Sequence, residues 1–309
     1  MMRKSLVLVL TLIVALTLAA CGKNNNNSDA SASNSPAASG GASNGAALSG
    51  TITAAGSTAL QPLVEQVANK FMSENSGVSI TVAPGGSGGG LTQVAGGQVD
   101  IGNSDIFAEE KLKDEAKDLV DHQVGVVAIA AVANPKVNVD NLTKQQLVDI
   151  FSGKVTNWKD VGGIDAKIVI VNRPSSSGTR KTFENLALGG PSKDLPGSIQ
   201  EDSSGTVKKL VAETPGAIGY LALSYLDDSV KALKFEGVEA TSDNVATGQY
   251  PVWAYEHMYT KGEPNPTVKA FLDYMLSDAV QNGDVKDMGY IPMSAMKVAR
   301  DVNGTVTNK

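Results

Sequence analysis

The chain of 309 residues is 42% hydrophobic and 19% charged, which excludes disorder of the whole chain and suggests roughly two domains. Its 26 basic and 32 acidic side chains give a net charge of −6, which excludes the strongly basic surface that nucleic-acid binding needs. One cysteine, Cys21, and two histidines, His122 and His257, provide no internal disulfide and too few ligands for a zinc site. We therefore expect no metal, no cofactor and no nucleic-acid partner.

The first 20 residues are typical of an export signal. Arg3 and Lys4 form a positive start, and the apolar run from Leu6 to Ala20 is shorter than the roughly 20 residues that a membrane-spanning helix needs. The run ends in Leu-Ala-Ala-Cys, which resembles the bacterial lipobox, where the cysteine thiol takes up a diacylglycerol. We expect a lipoprotein signal peptide over residues 1–20 and a lipid anchor at Cys21 that holds the protein on the extracytoplasmic face of the cell membrane. The alternative is a plain secretory signal with an incidental cysteine.

Residues 21–49 are predicted to be a disordered tether. They contain four consecutive asparagines and many Ser, Ala and Gly residues, with Leu48 as the only large apolar side chain. Such a composition cannot bury a core, and a flexible coil of this length spans roughly 30 Å. The folded body is predicted to start near Gly50.

The body repeats one local order three times: a short strand, a loop rich in glycine and hydroxyl side chains, and a helical pattern of apolar residues. The strands are predicted at 51–53, 78–82 and 168–171, and the loops at 56–58, 84–90 and 173–179. Ser57 or Thr58 is predicted to cap the first helix, and Ser87 to lie in the second loop. Strands that alternate with helices favour an α/β architecture with largely parallel sheets.

In such sheets, ligands bind beyond the carboxyl ends of the strands, where all three loops are predicted to lie. A helix start carries free backbone N–H groups and a partial positive charge, so several helix starts facing one point can hold a small anion without excess lysine. Each hydroxyl taken alone is commonly a simple helix cap. The Walker A pattern of nucleotide-binding loops is absent from the sequence.

Five segments resemble, in order and spacing, the phosphate-binding proteins of bacterial phosphate ABC transporters. They are AAGSTALQPLV, GGSGGGLTQVAGGQVDIGNSD, DIFSGKVTNWKDVGG, NRPSSSGTR and TPGAIGYLALSY, and the similarity covers nearly all of residues 50–309. The resemblance implies an α/β type II periplasmic-binding-protein fold, with two α/β lobes joined by two crossover segments. Lobe one would hold residues 50–130 and 255–309, lobe two residues 131–254, and the crossovers would run near Val126–Val132 and Trp253–Tyr259.

The resemblance also implies a phosphate site built from both lobes. Carried over motif by motif, its phosphate-binding residues would be Ser57, Thr58, Ala59, Ser87, Asp105, Arg173, Ser177, Gly178 and Thr179. The protein would be a monomeric binding protein and not an enzyme. It would capture inorganic phosphate by hinge closure and deliver it to the permease subunits of an ABC transporter.

Asp105 is the acidic member of this set, and a carboxylate facing an anion is repulsive unless a proton lies between them. Phosphate near neutral pH keeps a proton and sulfate does not, so Asp105 would favour phosphate over sulfate. Arsenate is protonated like phosphate and would not be excluded. Members of the family often carry an acid two positions after the arginine. Ser175 stands there in this chain, which leaves the orientation of Arg173 open.

Three alternatives remain open from the sequence. The same fold could bind another tetrahedral oxyanion, or a tethered sensor or adhesin could use phosphate only structurally. A serine hydrolase is the third, because Gly85 to Gly89 matches the Gly-x-Ser-x-Gly pattern around Ser87, with His257 further along the chain. The glycines on both sides of Ser87 and the lack of an oxyanion-hole segment before it argue against the hydrolase.

Overall fold

The computed structural model describes residues 48–309. The predicted signal peptide, the proposed anchor at Cys21 and the predicted tether up to residue 47 lie outside the described residues. The first strand begins at Ser49, and Leu48 already packs against a hydrophobic core. No helix in residues 48–309 combines the length and apolar character needed to span a bilayer.

Thirteen strands are described. They are β1 (Ser49–Gly56), β2 (Gly77–Pro84), β3 (Ile101–Ser104), β4 (Leu119–Ala133), β5 (Asn141–Leu142), β6 (Val169–Asn172), β7 (Ile199–Gln200), β8 (Ala217–Ala222), β9 (Lys231–Ala232), β10 (Lys234–Phe235), β11 (Trp253–Lys261), β12 (Val298–Arg300) and β13 (Val306–Asn308).

Ten α-helices are described along the same residues. They are α1 (Gln61–Glu74), α2 (Gly86–Ala95), α3 (Ala108–Leu112), α4 (Lys144–Phe151), α5 (Gly178–Phe183), α6 (Ser204–Glu213), α7 (Ser242–Ala246), α8 (Pro266–Met275), α9 (Asp278–Asn282) and α10 (Asp284–Asp287). Short 3₁₀ turns and one π-helical turn after α5 complete the chain.

The main sheet has the strand order β2-β1-β3-β11-β4-β8-β6-β7, with β9 added beside β4. β1 pairs in parallel with β2 and β3, and β6 pairs in parallel with β7 and β8. The two long strands β4 and β11 run antiparallel between these parallel groups, and the C-terminal part of β4 pairs with β8. We call the part built on β1 to β3 with α1 and α2 the first lobe, and the part built on β6 to β8 with α4 to α6 the second lobe.

Two large hydrophobic clusters lie on either side of the long strands. The first contains Ile52, Leu63 and Phe271, and the second contains Trp158 and Phe183. β4 and β11 contribute to both: the first cluster takes Val124, Val127 and Met258, and the second takes Ala128, Trp253 and Tyr255. Near the C-terminus, Ile291, Met296 and Val298 belong to the second cluster. The residue boundaries expected for the two lobes stay a prediction.

The glycine-rich stretch expected as a loop at 84–90 is helical from Gly86 onward, where α2 begins. Glycine is a poor helix former, so local propensity predicts a loop here. The structure shows a packing reason for Gly90 instead. A Cβ at this position would lie 2.5 Å from the Ala55 carbonyl oxygen and 2.7 Å from the Gly56 Cα. The absence of side chains therefore lets α2 lie directly against the end of β1.

Replacing Gly90 by alanine is expected to destabilise the protein, because its methyl group would overlap the backbone of β1. We expect Gly90→Ala to lower the free energy of unfolding by about 1–3 kcal/mol, measured by urea denaturation. Gly190→Ala is the control, since a Cβ there meets no atom within 4 Å. Equal stability of the two variants would contradict the packing role of Gly90.

Candidate functional site

The three hydroxyl-rich segments converge where β1, β3 and β6 end. The chain leaves β1 at Gly56, β3 at Ser104 and β6 at Asn172, and the candidate residues follow directly. All nine of them are buried, including the charged Asp105 and Arg173, which are 3% and 1% exposed. The structure thus brings the whole predicted set into one enclosed region.

Asp105 is the acceptor at the centre of this region. One carboxylate oxygen accepts a hydrogen bond from the Ser57 hydroxyl, and the other accepts one from Thr179 Oγ1 at 2.8 Å. Its backbone N–H donates to Ser87 Oγ at 2.9 Å. Because Thr179 lies on α5 and Asp105 follows β3, the carboxylate connects the two lobes.

Ser57 lies in the turn before α1 and not at its N-cap, a position that Leu60 occupies. Its hydroxyl oxygen accepts the N–H groups of Ala59 and Leu60, both at 3.1 Å. The expectation that Ser57 or Thr58 caps α1 is therefore wrong in position. An extra turn precedes the helix, and Ser57 satisfies the amides of that turn.

Thr58 and Arg173 form the second contact between the lobes. Arg173 Nη2 donates to Thr58 Oγ1 at 3.1 Å, and Nη1 donates to Ser204 Oγ at 3.3 Å. Nη2 also donates to the backbone carbonyl oxygen of Asp202. Burial lowers the pKa of Arg173, although a guanidinium starts so high that it stays charged at physiological pH. The group is therefore a fixed cation.

The orientation of Arg173, left open by Ser175, comes from neutral acceptors. The hydroxyls of Thr58 and Ser204 and the Asp202 carbonyl hold the guanidinium, and within residues 48–309 it makes no salt bridge. Its Nε is buried without a hydrogen-bond partner in the same part of the chain. The Nε donor of the guanidinium thus remains uncommitted.

The start of α5 brings Ser177, Gly178 and Thr179 to the same region. Ser177 caps the helix, because its Oγ accepts the Arg180 N–H at 3.2 Å. A Cβ at Gly178 would lie 2.1 Å from Ser87 Oγ, so only glycine allows this helix start to touch Ser87. The close approach fixes the second lobe against the first at this point.

The surroundings of Ser87 do not form a nucleophile–base pair with His257. Ser87 Oγ accepts the Asp105 N–H, whereas His257 Nδ1 lies 2.9 Å from an Asp121 carboxylate oxygen. Among residues 48–309, no group of three or more His, Cys, Asp or Glu side chains is placed to hold a metal ion. The arrangement is many hydroxyl and amide groups, one cation and one carboxylate around a single point, which suits an oxyanion that carries a proton.

Comparison with known proteins identifies the family. Residues 41–279 match the model of the PBP superfamily domain. The chain is 57% identical over 257 residues to the phosphate-binding protein PstS of Bacillus subtilis strain 168, covering 83% of this chain and 85% of that protein. The chain belongs to the PstS family of phosphate-binding proteins.

Solved structures agree with this family. A phosphate ABC transporter substrate-binding protein of Clostridium perfringens, solved with bound phosphate, matches with a TM-score of 0.73 and 35% identity over 79% of this chain and 100% of that one. An ABC-type phosphate transport receptor of Vibrio cholerae matches with a TM-score of 0.64 and 30% identity, over 78% and 99% of the two chains. The expected α/β periplasmic-binding-protein fold is confirmed, and so is the resemblance on which it was based.

Two contributors to the candidate site, Ser204 and the Asp202 carbonyl, are not among the residues predicted from the sequence. Asp202 follows the short strand β7 and Ser204 is the first residue of α6, in the sequence Asp-Ser-Ser-Gly. This is a fourth strand–hydroxyl–helix segment, so the signal that indicated the other three loops was present. β7 has only two residues, which explains why its pattern was not evident as a strand.

A third missed residue is Glu256 on β11, which is completely buried. Burial raises the pKa of Glu256 well above its usual value, and the nearby Asp105 carboxylate raises it further. The only feature of the sequence that could have indicated a buried Glu256 is that it is a single acid within the largely apolar run Trp-Ala-Tyr-Glu-His-Met-Tyr. Burial and the neighbouring Asp105 therefore both favour the protonated form of Glu256 in the folded protein.

This protonation makes stability depend on pH in a defined direction. Above pH 4.5 the unfolded chain releases the Glu256 proton while the folded chain keeps it, so this residue's contribution to stability falls as pH rises until the folded pKa is reached. Glu256→Gln removes the effect. We expect the stability of the variant relative to the original protein to grow between pH 5 and pH 8, by up to about 1.4 kcal/mol per pH unit.

Urea denaturation of both proteins at several pH values measures this difference. The exposed Glu239→Gln is the control and should show no such trend. A stability difference between Glu256→Gln and the original protein that is constant from pH 5 to pH 8 would contradict a protonated Glu256.

Proposed function

We propose that this protein captures inorganic phosphate outside the cytoplasm and delivers it to the permease subunits of an ABC transporter. The observation that carries the proposal is the buried Asp105 carboxylate, surrounded by hydroxyl and guanidinium donors from both lobes. The names of the relatives support it, since they are phosphate-binding and phosphate-transport proteins. The Clostridium perfringens protein supports it further, because it was solved with phosphate bound.

The proposed ligand contacts are the nine residues named from the sequence. Thr58, Ser87, Ser177 and Thr179 would donate hydroxyl hydrogens, Ala59 and Gly178 backbone N–H groups, and Arg173 its guanidinium, with Ser57 as an additional donor. Asp105 would accept the hydrogen of a protonated phosphate oxygen. Hydrogen bonds to charged groups each contribute about 1.5–3 kcal/mol, so a handful can exceed the roughly 8 kcal/mol of a micromolar complex.

Closure of the two lobes is the proposed capture step. Residues 50–130 with 255–309 would move as one lobe and residues 131–254 as the other, with β4 and β11 as the connections. The contacts Thr58–Arg173 and Asp105–Thr179 support this, because each joins a group after β1 or β3 to a group at β6 or α5. A ligand that bonds to both sides stabilises the closed state by its differential contacts.

Selection against sulfate follows from the same carboxylate. Fully deprotonated sulfate would meet Asp105 with like charge and no hydrogen to share, whereas phosphate near neutral pH offers one. Arsenate is protonated in the same way, so we expect the site to accept it as well. Other tetrahedral oxyanions without a proton are therefore weaker candidates than phosphate.

Outside the folded body, we propose that Cys21 carries a lipid and that the segment between Cys21 and the start of the body tethers a monomeric binding protein to the extracytoplasmic face of the membrane. The end of this tether is earlier than the expected residue 49, because Leu48 and Ser49 already belong to the folded body. The support is the sequence alone: the only cysteine of the chain stands at the end of a lipobox-like run. The lipid would keep the captured phosphate close to the permease.

Asp105→Asn tests the selectivity. The asparagine side chain has one acceptor oxygen instead of two and carries no charge. We therefore expect the ratio of phosphate to sulfate affinity to fall by about tenfold or more. Isothermal titration calorimetry with phosphate, sulfate and molybdate measures it, with the exposed Asp228→Asn as the control. An unchanged ratio would remove the proposed role of Asp105. Absence of phosphate binding by the original protein would refute the proposed function.

Cys21→Ser tests the anchor. We expect the full-length variant to move from the membrane fraction to the soluble extracytoplasmic fraction, because the hydroxyl cannot take up the diacylglycerol. Cell fractionation and labelling with radioactive palmitate measure this, and the unsubstituted chain is the reference. Retention of the variant in the membrane fraction, with unchanged label, would show that Cys21 is not the anchor.

A further inference from the structure

Glu256 lies one position beyond the last paired residues of β3 and β11, on the side where Asp105 follows Ser104. Strands β3 and β11 are antiparallel, with His257 paired to Ser104, so continuing the register by one residue places Glu256 against Asp105. Directly opposed residues of an antiparallel pair point to the same face, with their Cβ atoms about 5 Å apart. Neighbouring residues point to opposite faces, which is why His257 turns away toward Asp121.

Glu256 is 0% exposed, and within residues 48–309 neither of its carboxyl oxygens has a hydrogen-bond partner. Two phenols, Tyr225 and Tyr290, lie near Glu256. Their hydroxyls donate to the backbone carbonyls of Thr58 and Ala59, so their hydrogens are not available to Glu256. Asp105 is thus the acceptor that faces it.

Two ionised carboxylates in this position would repel each other in a buried environment. Within residues 48–309 no donor reaches either carboxyl oxygen of Glu256, and a single proton shared with the neighbouring Asp105 would turn the repulsive contact into a hydrogen bond. Asp105 already accepts from Ser57 and Thr179, which is the bonding of a carboxylate. The proton therefore belongs to Glu256, in agreement with the raised pKa of its carboxyl group.

We propose that Glu256 is a neutral carboxylic acid that donates its hydrogen to Asp105 and so holds Asp105 in place as the charged acceptor of the phosphate site. Glu256 is a positioning residue, since it acts on the ligand only through Asp105. The inference rests on the proposed capture of phosphate and adds a specificity determinant to that site.

The proposal accounts for the charge and the hydrogen-bonding capacity of the site. An ionised carboxylate offers about four acceptor positions. Ser57, Thr179 and Glu256 would use three of them and leave one for the hydrogen of the ligand. If Ser57 or Thr179 turned its single hydroxyl hydrogen to the ligand, Glu256 would remain as a donor to Asp105. The neutral Glu256 also keeps a single negative charge facing the anion, whereas an ionised Glu256 would double the repulsion.

Three variants separate the roles of the Glu256 side chain. Glu256→Gln keeps its shape and a donor, Glu256→Leu keeps an approximate volume and removes the donor, and the exposed Glu239→Gln is the control for lost charge. Isothermal titration calorimetry gives the phosphate and sulfate dissociation constants of each at pH 7. Circular dichroism and thermal melting verify that each variant folds.

We expect Glu256→Leu to weaken phosphate binding by about tenfold or more, because Asp105 loses a donor that its charge requires. Glu256→Gln should lose no more than about threefold, because its N–H group replaces that donor. Phosphate binding by Glu256→Leu as tight as that of the original protein would overturn the proposal. Equal weakening of the Gln and Leu variants would also overturn it, since Gln keeps both the shape and a donor and that pattern would indicate a requirement for the carboxyl group itself.

Infrared spectroscopy tests the proton independently of phosphate capture. The original protein at neutral pH should show the C=O stretch of a protonated carboxylic acid that Glu256→Gln lacks, and phosphate should shift this band because Asp105 changes its partners. Absence of the band overturns the proposal even if phosphate binds and even if Glu256→Leu fails to fold. Presence of the band in a protein that binds no phosphate would instead refute the proposed function and leave Glu256 neutral.

Discussion

The arrangement of the site depends on one buried carboxylate that must be surrounded by donors. Asp105 is almost completely excluded from water, and a buried carboxylate is tolerated only where hydrogen bonds replace its hydration. Ser57 from its own lobe and Thr179 from the other supply them. This requirement determines which faces of the two lobes can meet, because only the start of α5 brings a hydroxyl to the far side of the carboxylate.

Close backbone approach makes this convergence possible. Gly90 lets α2 lie against the end of β1, and Gly178 lets α5 touch Ser87, so the donors reach one point without long side chains. Short hydroxyls lose little conformational freedom when they are ordered, in contrast to lysine or glutamine. The glycines therefore contribute to binding geometry as well as to packing, and the same absence of side chains explains why α2 resembles a loop in the sequence.

Much of the site could be predicted from the sequence, because β1, β2 and β6 each lead into a segment with an evident local pattern. Asp105 and Arg173 were expected there through the family resemblance. Ser204 was missed since its strand, β7, is too short to show alternation. Glu256 could not be connected to Asp105 because their proximity depends on the pairing of β3 with β11, two strands far apart in the chain. Local pattern predicts elements, whereas strand order is determined by packing of the whole body.

Charge alone does not explain how an acidic protein would hold an anion. The charges of Arg173 and Asp105 nearly cancel, and with a neutral Glu256 the site carries almost no net charge. Arg173 is held by Thr58, Ser204 and a carbonyl, and no acid in residues 48–309 forms a salt bridge with it, so its field is not neutralised by a direct partner. A site without excess charge attracts all anions weakly. Discrimination must then come from the direction of each hydrogen bond. The proposed Asp105 carboxylate would distinguish a protonated oxygen from a bare one, because it accepts hydrogens and has none to donate.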